Sequence, residues 1–108
     1  MSFKFNRYQS EHIEIKRRLK TAQPHERDSL LLVQGENIAA WKKACKSNFQ
    51  WKAELREAQF WGIEKESMDP RDYEAVLVSI EALKACDRGE SPDPEAILQK
   101  IRKSGVLA

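Results

Sequence analysis

The stretch of sequence that decides the fold is DPRDYEAVLVSIEALKACDRG, residues 69–89. Asp69 offers an N-cap oxygen, and Pro70 presets the backbone angle of a first helical turn. Gly89 then provides a helix end, because glycine adopts left-handed backbone angles without strain. Between these signals, the apolar residues recur at steps of three and four, which is the spacing of one helix face: Tyr73, Val76, Leu77, Ile80 and Leu83. The stretch therefore predicts a capped amphipathic α-helix.

The same signals divide the rest of the chain into helices. Asp93-Pro94 predicts a last helix that ends at Gly105. Apolar periodicity predicts three earlier helices, over residues 8–22, 24–46 and 49–61, the third of which Gly62 would end in the left-handed conformation. No stretch indicates a β-strand or an internal repeat. We therefore expect an all-α fold, a compact bundle of four to six short helices, whose core includes Trp41, Leu55, Leu77, Ile80 and Ile101.

Length and composition favour one domain over residues 1–108, with disorder allowed over residues 1–7. The chain has 108 residues, of which 41% are hydrophobic and 33% are charged, and this is a usual balance for a small globular domain. No run approaches the roughly 18 apolar residues of a membrane-spanning helix, and the first ten residues lack the apolar core of a signal peptide. The two cysteines are far apart and form no metal or redox motif. We expect reduced thiols, no membrane contact and a cytoplasmic location.

Charge is distributed unevenly along the chain. Residues 1–53 carry eleven Lys or Arg against five Asp or Glu, whereas residues 54–108 carry eight against twelve. A basic half and an acidic half can attract each other, an oppositely charged partner, or, on the basic side, nucleic acid. The sequence leaves these alternatives open.

Leu32 does not fit the pattern of the second helix. At about 100° per residue it lies opposite Trp41, on the side that carries Lys42 and Lys43. One explanation is a break at Gly35, since glycine costs roughly 1 kcal/mol relative to alanine inside a helix. The other is that Leu32 belongs to a surface for a partner.

The third helix has two apolar sides. Trp51, Leu55 and Ala58 form one stripe, and Phe49, Ala53 and Phe60 form another almost opposite. A surface helix of a monomer needs only one apolar face. This helix is therefore either central to the bundle or covered by another subunit or a protein ligand.

Catalytic and metal-binding patterns are absent from the sequence. His12 falls in an apolar stripe, where we expect a core histidine with one hydrogen-bonded nitrogen. Cys45 and Cys86 resemble small apolar residues, and the carboxylates cluster at helix N-termini, where the helix dipole accounts for them. We expect no enzymatic activity, no catalytic residues, no metal and no cofactor.

Nucleic-acid binding is the most specific chemical hypothesis that the residues support. Lysines alternate with aromatic residues around the predicted turn between the second and third helices, which suits phosphate neutralisation and stacking; the candidates are Lys42, Lys43, Lys46, Lys52 and Trp51. Over about a fifth of the chain, this segment resembles the helix-turn-helix of phage terminase small subunits, in Trp41, Lys42, Lys43, Phe49, Leu55 and Ala58. The small residue of a clear tight turn is missing, and the resemblance assigns no family. It implies DNA binding as an expectation.

The preferred interpretation is a non-enzymatic interaction protein, such as a regulator, adaptor, inhibitor or assembly factor. It rests on the stray leucine, on the two-sided third helix and on three tryptophans in a modest core, because tryptophan often anchors interfaces. The expected partner is another protein or a second copy of the chain, and the candidate interface residues are Leu32, Phe49, Phe60 and Trp61. Nucleic-acid binding is the alternative.

Overall fold

Five α-helices account for most of residues 4–107, the part of the chain that the computed structural model describes. A five-residue π-helical turn, Phe60–Glu64, follows the third helix, and a short 3₁₀ turn, Pro70–Asp72, precedes the fourth. The helices are α1 Arg7–Leu19, α2 Pro24–Ala44, α3 Asn48–Gln59, α4 Tyr73–Asp87 and α5 Pro94–Ser104. The predicted all-α bundle is confirmed.

Helix boundaries in the second half of the chain follow the predicted signals. The Asp69 side chain accepts a hydrogen bond from the backbone N–H of Arg71 at 3.0 Å, and Asp93 likewise caps the start of α5. Gly89 and Gly105 have φ values of 78° and 66°, the left-handed conformation expected after a helix. Asp69 and Pro70 therefore start the 3₁₀ turn that leads into α4, Asp93 and Pro94 start α5, and a glycine follows the end of each helix.

The first helix begins within the segment where disorder was allowed. Asn6 accepts a hydrogen bond from the backbone N–H of Gln9, and the Gln9 side chain accepts one in return from the Asn6 N–H. Phe5 packs beside Tyr8 against an apolar cluster. Residues 5–7 are thus structured, while residues 1–3 lie outside the described residues.

The second helix is continuous through Gly35, so of the two explanations for Leu32 the break is excluded. It runs for 21 residues, and Trp41 on its inner face is completely buried. Two residues after the glycine, the Asn37 side-chain amide donates to the backbone carbonyl of Tyr8 at 3.1 Å. This bond to α1 and the burial of Trp41 offset the roughly 1 kcal/mol cost of one helical glycine.

The third helix is the centre of the bundle, which settles the alternatives for its two apolar sides. One side, with Ala58, Trp51 and Leu55, joins a cluster from α1 and α2 that includes Ile13 and Trp41. The other side leads into a second cluster with α4 and α5, formed by Phe60, Leu77, Ile80 and Ile101. Of the residues in the two stripes, only Phe49 stays exposed. Of the predicted core, only Leu55 is half-buried, and the other four residues are buried.

Gly62 does not end a helix in the left-handed conformation, contrary to prediction. It lies inside the π-helical turn, which a 2.9 Å hydrogen bond from the Lys65 N–H to the Phe60 carbonyl closes. A Cβ atom at this position would stand 2.7 Å from Cγ1 of Ile13 and closer still to its Cδ1. Glycine is needed here because α1 packs directly against the backbone.

Candidate functional site

Three consecutive large apolar residues of α2 are in contact with solvent, with Leu32 on the outward side and Leu31 and Val33 about 100° to either side of it. Leu31, Leu32 and Val33 are 44%, 66% and 41% exposed. Further along the same side lie Ala39 and Ala40, which are also exposed. We call this surface the outer face of α2, and it comprises Asp28, Leu31, Leu32, Val33, Gly35, Glu36, Ala39, Ala40 and Lys43.

The outer face has a prominent N-terminal part and a flat C-terminal part. Leucine and valine side chains project near its beginning, whereas beyond them come only glycine, alanine and charged residues. Nothing lies within 4 Å of the place where a Cβ atom would stand on Gly35. The backbone of α2 is therefore accessible from outside at its middle.

No other helix in the described part of the chain covers this face. α2 packs chiefly against α1, with a few contacts to α3 near its C-terminal end. Leu32 is nine residues from the fully buried Trp41, which places it about 180° away around the helix. The inner side of α2 is already occupied, so the apolar outer side has no partner within residues 4–107.

The other predicted interface residues do not join Leu32 in one surface. Phe49 is 44% exposed at the start of α3. Phe60 is only 1% exposed and packs against Tyr73, with ring centroids 5.4 Å apart, so its assignment to a surface is wrong. Trp61 is half-buried against the same cluster, and the Lys65 ammonium lies 5.0 Å from the centre of its ring. The sequence could not reveal that the second side of α3 faces α4 and α5.

The predicted lysines lie together at the corner between α2 and α3. Lys42, Lys43, Lys46 and Lys52 are all exposed, in the last turn of α2, the connection and the second turn of α3. The Lys42 ammonium stands 4.4 Å from the centre of the Trp51 ring, which is half-buried. One face of this tryptophan is thus already covered by a cation and is not open to a stacked base.

The geometry of α3 differs from that of an exposed recognition helix. In a helix-turn-helix, the second helix enters the major groove with its N-terminal residues against the base edges. Here α3 is buried along two sides, and its exposed stripe is limited to Asn48, Phe49, Lys52 and Arg56. The resemblance to terminase segments therefore covers the helix order and the lysines, but not a free recognition helix.

A carboxylate inside the first apolar cluster organises several polar groups. Glu54, in the middle of α3, accepts hydrogen bonds from Trp41 Nε1 at 3.1 Å and from Gln50 Nε2 at 3.0 Å. Asn6 donates to it at 2.6 Å, and the Cys45 thiol lies 3.6 Å from its second oxygen. Sequence reasoning missed this network. Its only local signal was the spacing of four between Gln50 and Glu54, which puts both on one side of a helix.

Neither Cys45 nor His12 is set up for nucleophilic or base chemistry. Burial and the neighbouring Glu54 raise the pKa of the Cys45 thiol to about 11, so it stays protonated at neutral pH. His12 is buried beside Trp41, as expected, but neither ring nitrogen has a hydrogen-bond partner, contrary to the expectation for one of them. Burial, followed by the charge of Lys16, lowers its pKa. The imidazole is therefore neutral and shielded from solvent.

A small basic cleft lies beside the π-helical turn. Its volume is about 210 Å³, and Arg17 Nη2 donates to the Gly62 carbonyl at 3.3 Å on one of its walls. Lys20, Trp61 and Lys65 also line it, and Glu66 offsets part of the positive charge. Because one cation is already bonded to the backbone and another covers Trp61, the cleft offers few free donors.

Within residues 4–107, no helix is long and apolar enough to cross a membrane, and no group of three or more His, Cys, Asp or Glu could hold a metal ion. Comparison with known proteins found no matching family model, no matching curated protein and no matching solved structure. The outer face of α2 and the lysines at the α2–α3 corner are thus the surfaces from which a function can be argued.

Proposed function

We propose that the protein is a non-enzymatic interaction protein that binds another protein, or a second copy of itself, through the outer face of α2. One observation carries the proposal: Leu31, Leu32 and Val33 are exposed together on a helix whose opposite side is already packed. Single exposed apolar residues are common, whereas adjoining ones mark interaction surfaces.

The surroundings of these residues support an interface. Asp28, Glu36 and Lys43 are exposed around the apolar residues, and an apolar centre with a polar rim is the usual composition of a protein interface. A continuous helix also presents its outer face without rearrangement, because the backbone is already ordered. Binding then costs little conformational entropy.

The surroundings of His12 and Cys45 suit neither base nor nucleophilic chemistry, which favours binding over catalysis at these two groups. A general base needs access to substrate, and His12 has none. A nucleophilic cysteine needs a lowered pKa, and that of Cys45 is raised.

Site-specific photo-crosslinking tests the proposal in cells of the native source. A photoreactive amino acid replaces Leu32 in one strain and Val106 in another, because Val106 is also an exposed apolar residue, at 48%, but lies beyond α5. We expect discrete covalent adducts from position 32 and none of the same mass from position 106. Absence of adducts at position 32, or identical adducts at both positions, would contradict an interface on α2.

Nucleic-acid binding is a second candidate function, supported by the four exposed lysines and the exposed Phe49 at the α2–α3 corner. The logarithm of the binding constant falls linearly with the logarithm of the salt concentration, and each lysine that contacts a phosphate adds about 0.9 to the steepness of this slope. Replacing Lys43, Lys46 and Lys52 by glutamine should therefore weaken low-salt binding in a mobility-shift assay and reduce that slope by up to about 3.

The matched control for the lysine corner replaces three exposed lysines elsewhere, Lys20, Lys100 and Lys103. It removes the same net charge but leaves the corner intact. Equal effects of the two triple variants would indicate only general electrostatic attraction. No binding by the unaltered protein at low salt would exclude this second function.

A further inference from the structure

We infer that the partner of the outer face of α2 is a second copy of this chain, whose own α2 lies antiparallel against it. The inference rests on the proposed function and adds the identity and orientation of the partner. It follows from the order of charges along the outer face and from the order of large and small residues.

Charge along the outer face changes sign from one end of α2 to the other. Asp28 lies near the N-terminal end and Lys43 near the C-terminal end, 15 residues and therefore about 22 Å apart. Neither residue has an ion-pair partner among the described residues. Two parallel copies would place like charges against each other, whereas two antiparallel copies bring Asp28 of each to Lys43 of the other.

The same antiparallel register matches large side chains with small ones. With Asp28 opposite Lys43, Leu32 lies opposite Ala39 of the second copy. Leu32, exposed in one chain, thus meets the flat part of the outer face in the other. Helices approach closely where the residues between them are small. In a symmetric pair the contact between Leu32 and Ala39 occurs twice, so both copies of Leu32 are shielded from water.

The two-fold axis of this pair passes between Gly35 and Glu36. Gly35 has nothing within 4 Å of the position of a Cβ atom, so it leaves space for the other helix at the centre. The two copies of Glu36 come near each other at the axis, and their like charges oppose association. Both are exposed and can turn toward solvent. This register therefore predicts that neutralising Glu36 strengthens the dimer.

Single helix faces form small interfaces, so the dimer is expected to be weak. A standard interface covers about 800 Å² on each partner, which is more than one helix face of this length offers. We expect a dissociation constant for the dimer on the order of 10 µM.

Sedimentation equilibrium or light scattering of the purified protein, from about 1 µM to about 1 mM, tests the dimer. We expect a monomer–dimer equilibrium that Leu32→Glu weakens at least about tenfold and that Glu36→Gln strengthens about two- to fivefold. Circular dichroism should show both variants folded, because both side chains are exposed. A strict monomer up to about 1 mM, or a dimer that Leu32→Glu does not change, would overturn the inference.

Charge exchange tests the antiparallel orientation. Asp28→Lys alone and Lys43→Glu alone should each weaken self-association about tenfold, while an equimolar mixture of the two variants should form a heterodimer of unaltered affinity. Glu26→Lys is the matched control, since Glu26 lies in the same first turns but about 160° away from Asp28 around the helix. Failure of the mixture to recover affinity, or an equal loss in the control, would overturn antiparallel pairing.

These results are separable from failure of the proposed function. If the purified protein is monomeric but photo-crosslinking at position 32 yields adducts whose mass differs from that of two copies of the chain, the outer face binds a different protein and only the self-pairing is wrong. If position 32 yields no adduct in cells and the purified protein is monomeric, both are wrong.

Discussion

The α4–α5 half of the bundle and the α1–α2 hairpin differ in how much of their apolar surface they bury. Within α4 and α5 no large apolar side chain is exposed, and Leu77, Ile80 and Ile101 meet in one cluster with Phe60. Arg102 of α5 forms an ion pair with Glu74 of α4 at 2.7 Å. In α2, by contrast, apolar residues point both inward and outward.

The difference teaches where a function should be sought. Helices α4 and α5 bury their large apolar residues against each other, against α3 and against Phe60. The α1–α2 hairpin leaves an apolar face in water and keeps a buried histidine without hydrogen-bond partners. Exposed apolar residues and buried polar groups without partners are expected at functional sites, where a residue is kept for a role other than stabilising the fold.

The largest difference in the cost of an alanine substitution is expected between Phe60 and Phe49, which the sequence analysis both named as candidate interface residues. Phe60→Ala should cost about 3–5 kcal/mol of unfolding free energy, because it empties a fully buried site. Phe49→Ala should cost less than about 1 kcal/mol, since nearly half of the Phe49 side chain is exposed to solvent. Urea denaturation measures both. Similar costs would mean that the second cluster does not hold the fold as described.

Two glycine substitutions should have opposite signs. Gly62→Ala forces a methyl group into Ile13 and should destabilise the protein by about 1–3 kcal/mol. Gly35→Ala meets nothing and should stabilise α2 by about 1 kcal/mol. Both are read from denaturation of dilute, monomeric protein, so that self-association does not contribute. A destabilising Gly35→Ala would indicate that α2 is not continuous.

A smaller effect is expected from the protonation of His12. Its pKa is lowered in the folded protein, so the unfolded chain binds a proton first as the pH falls below about 6.5. The contribution of His12 to the free energy of unfolding is therefore complete above that pH. Below it, this contribution decreases by at most about 1.4 kcal/mol per pH unit. Denaturation at pH 7.5 and pH 5.5 measures the loss.

Comparison with His12→Leu isolates the histidine, because Glu57 is unchanged in both proteins. Burial raises the pKa of Glu57, which acts in the opposite direction by favouring the fold as the pH falls. The variant should lose less stability over the same pH interval than the unaltered protein.

Sequence reasoning succeeded where the covalent structure of a residue dictates its conformation. Within a helix, Pro70 and Pro94 fit only the first turn, and Gly89 and Gly105 accept left-handed angles that other residues resist. These signals are local, so they remain valid whatever packs nearby. The positions of α4 and α5 followed directly from them.

Sequence reasoning failed where the outcome depends on residues far away in the chain. Gly35 breaks a helix or leaves it intact according to whether neighbouring residues are held by α1, and Asn37 and Trp41 hold them. Glycine is needed at position 62 because the side chain of Ile13, 49 residues earlier, occupies the space of a Cβ atom. The outward position of Leu32 followed from helical periodicity, whereas the absence of any helix covering it required the tertiary structure. Its role in an interface stays a prediction.

The central position of α3 has a consequence for the folding of the chain. Both apolar clusters draw on residues of α3 or of the turn that directly follows it. A cut after the π-helical turn would leave α4 and α5 without Phe60, and a cut before α3 would leave Trp41 without Ala58. Neither half contains a complete core, so the two clusters should form and melt in one cooperative transition, with the slowest amide hydrogen exchange along α3.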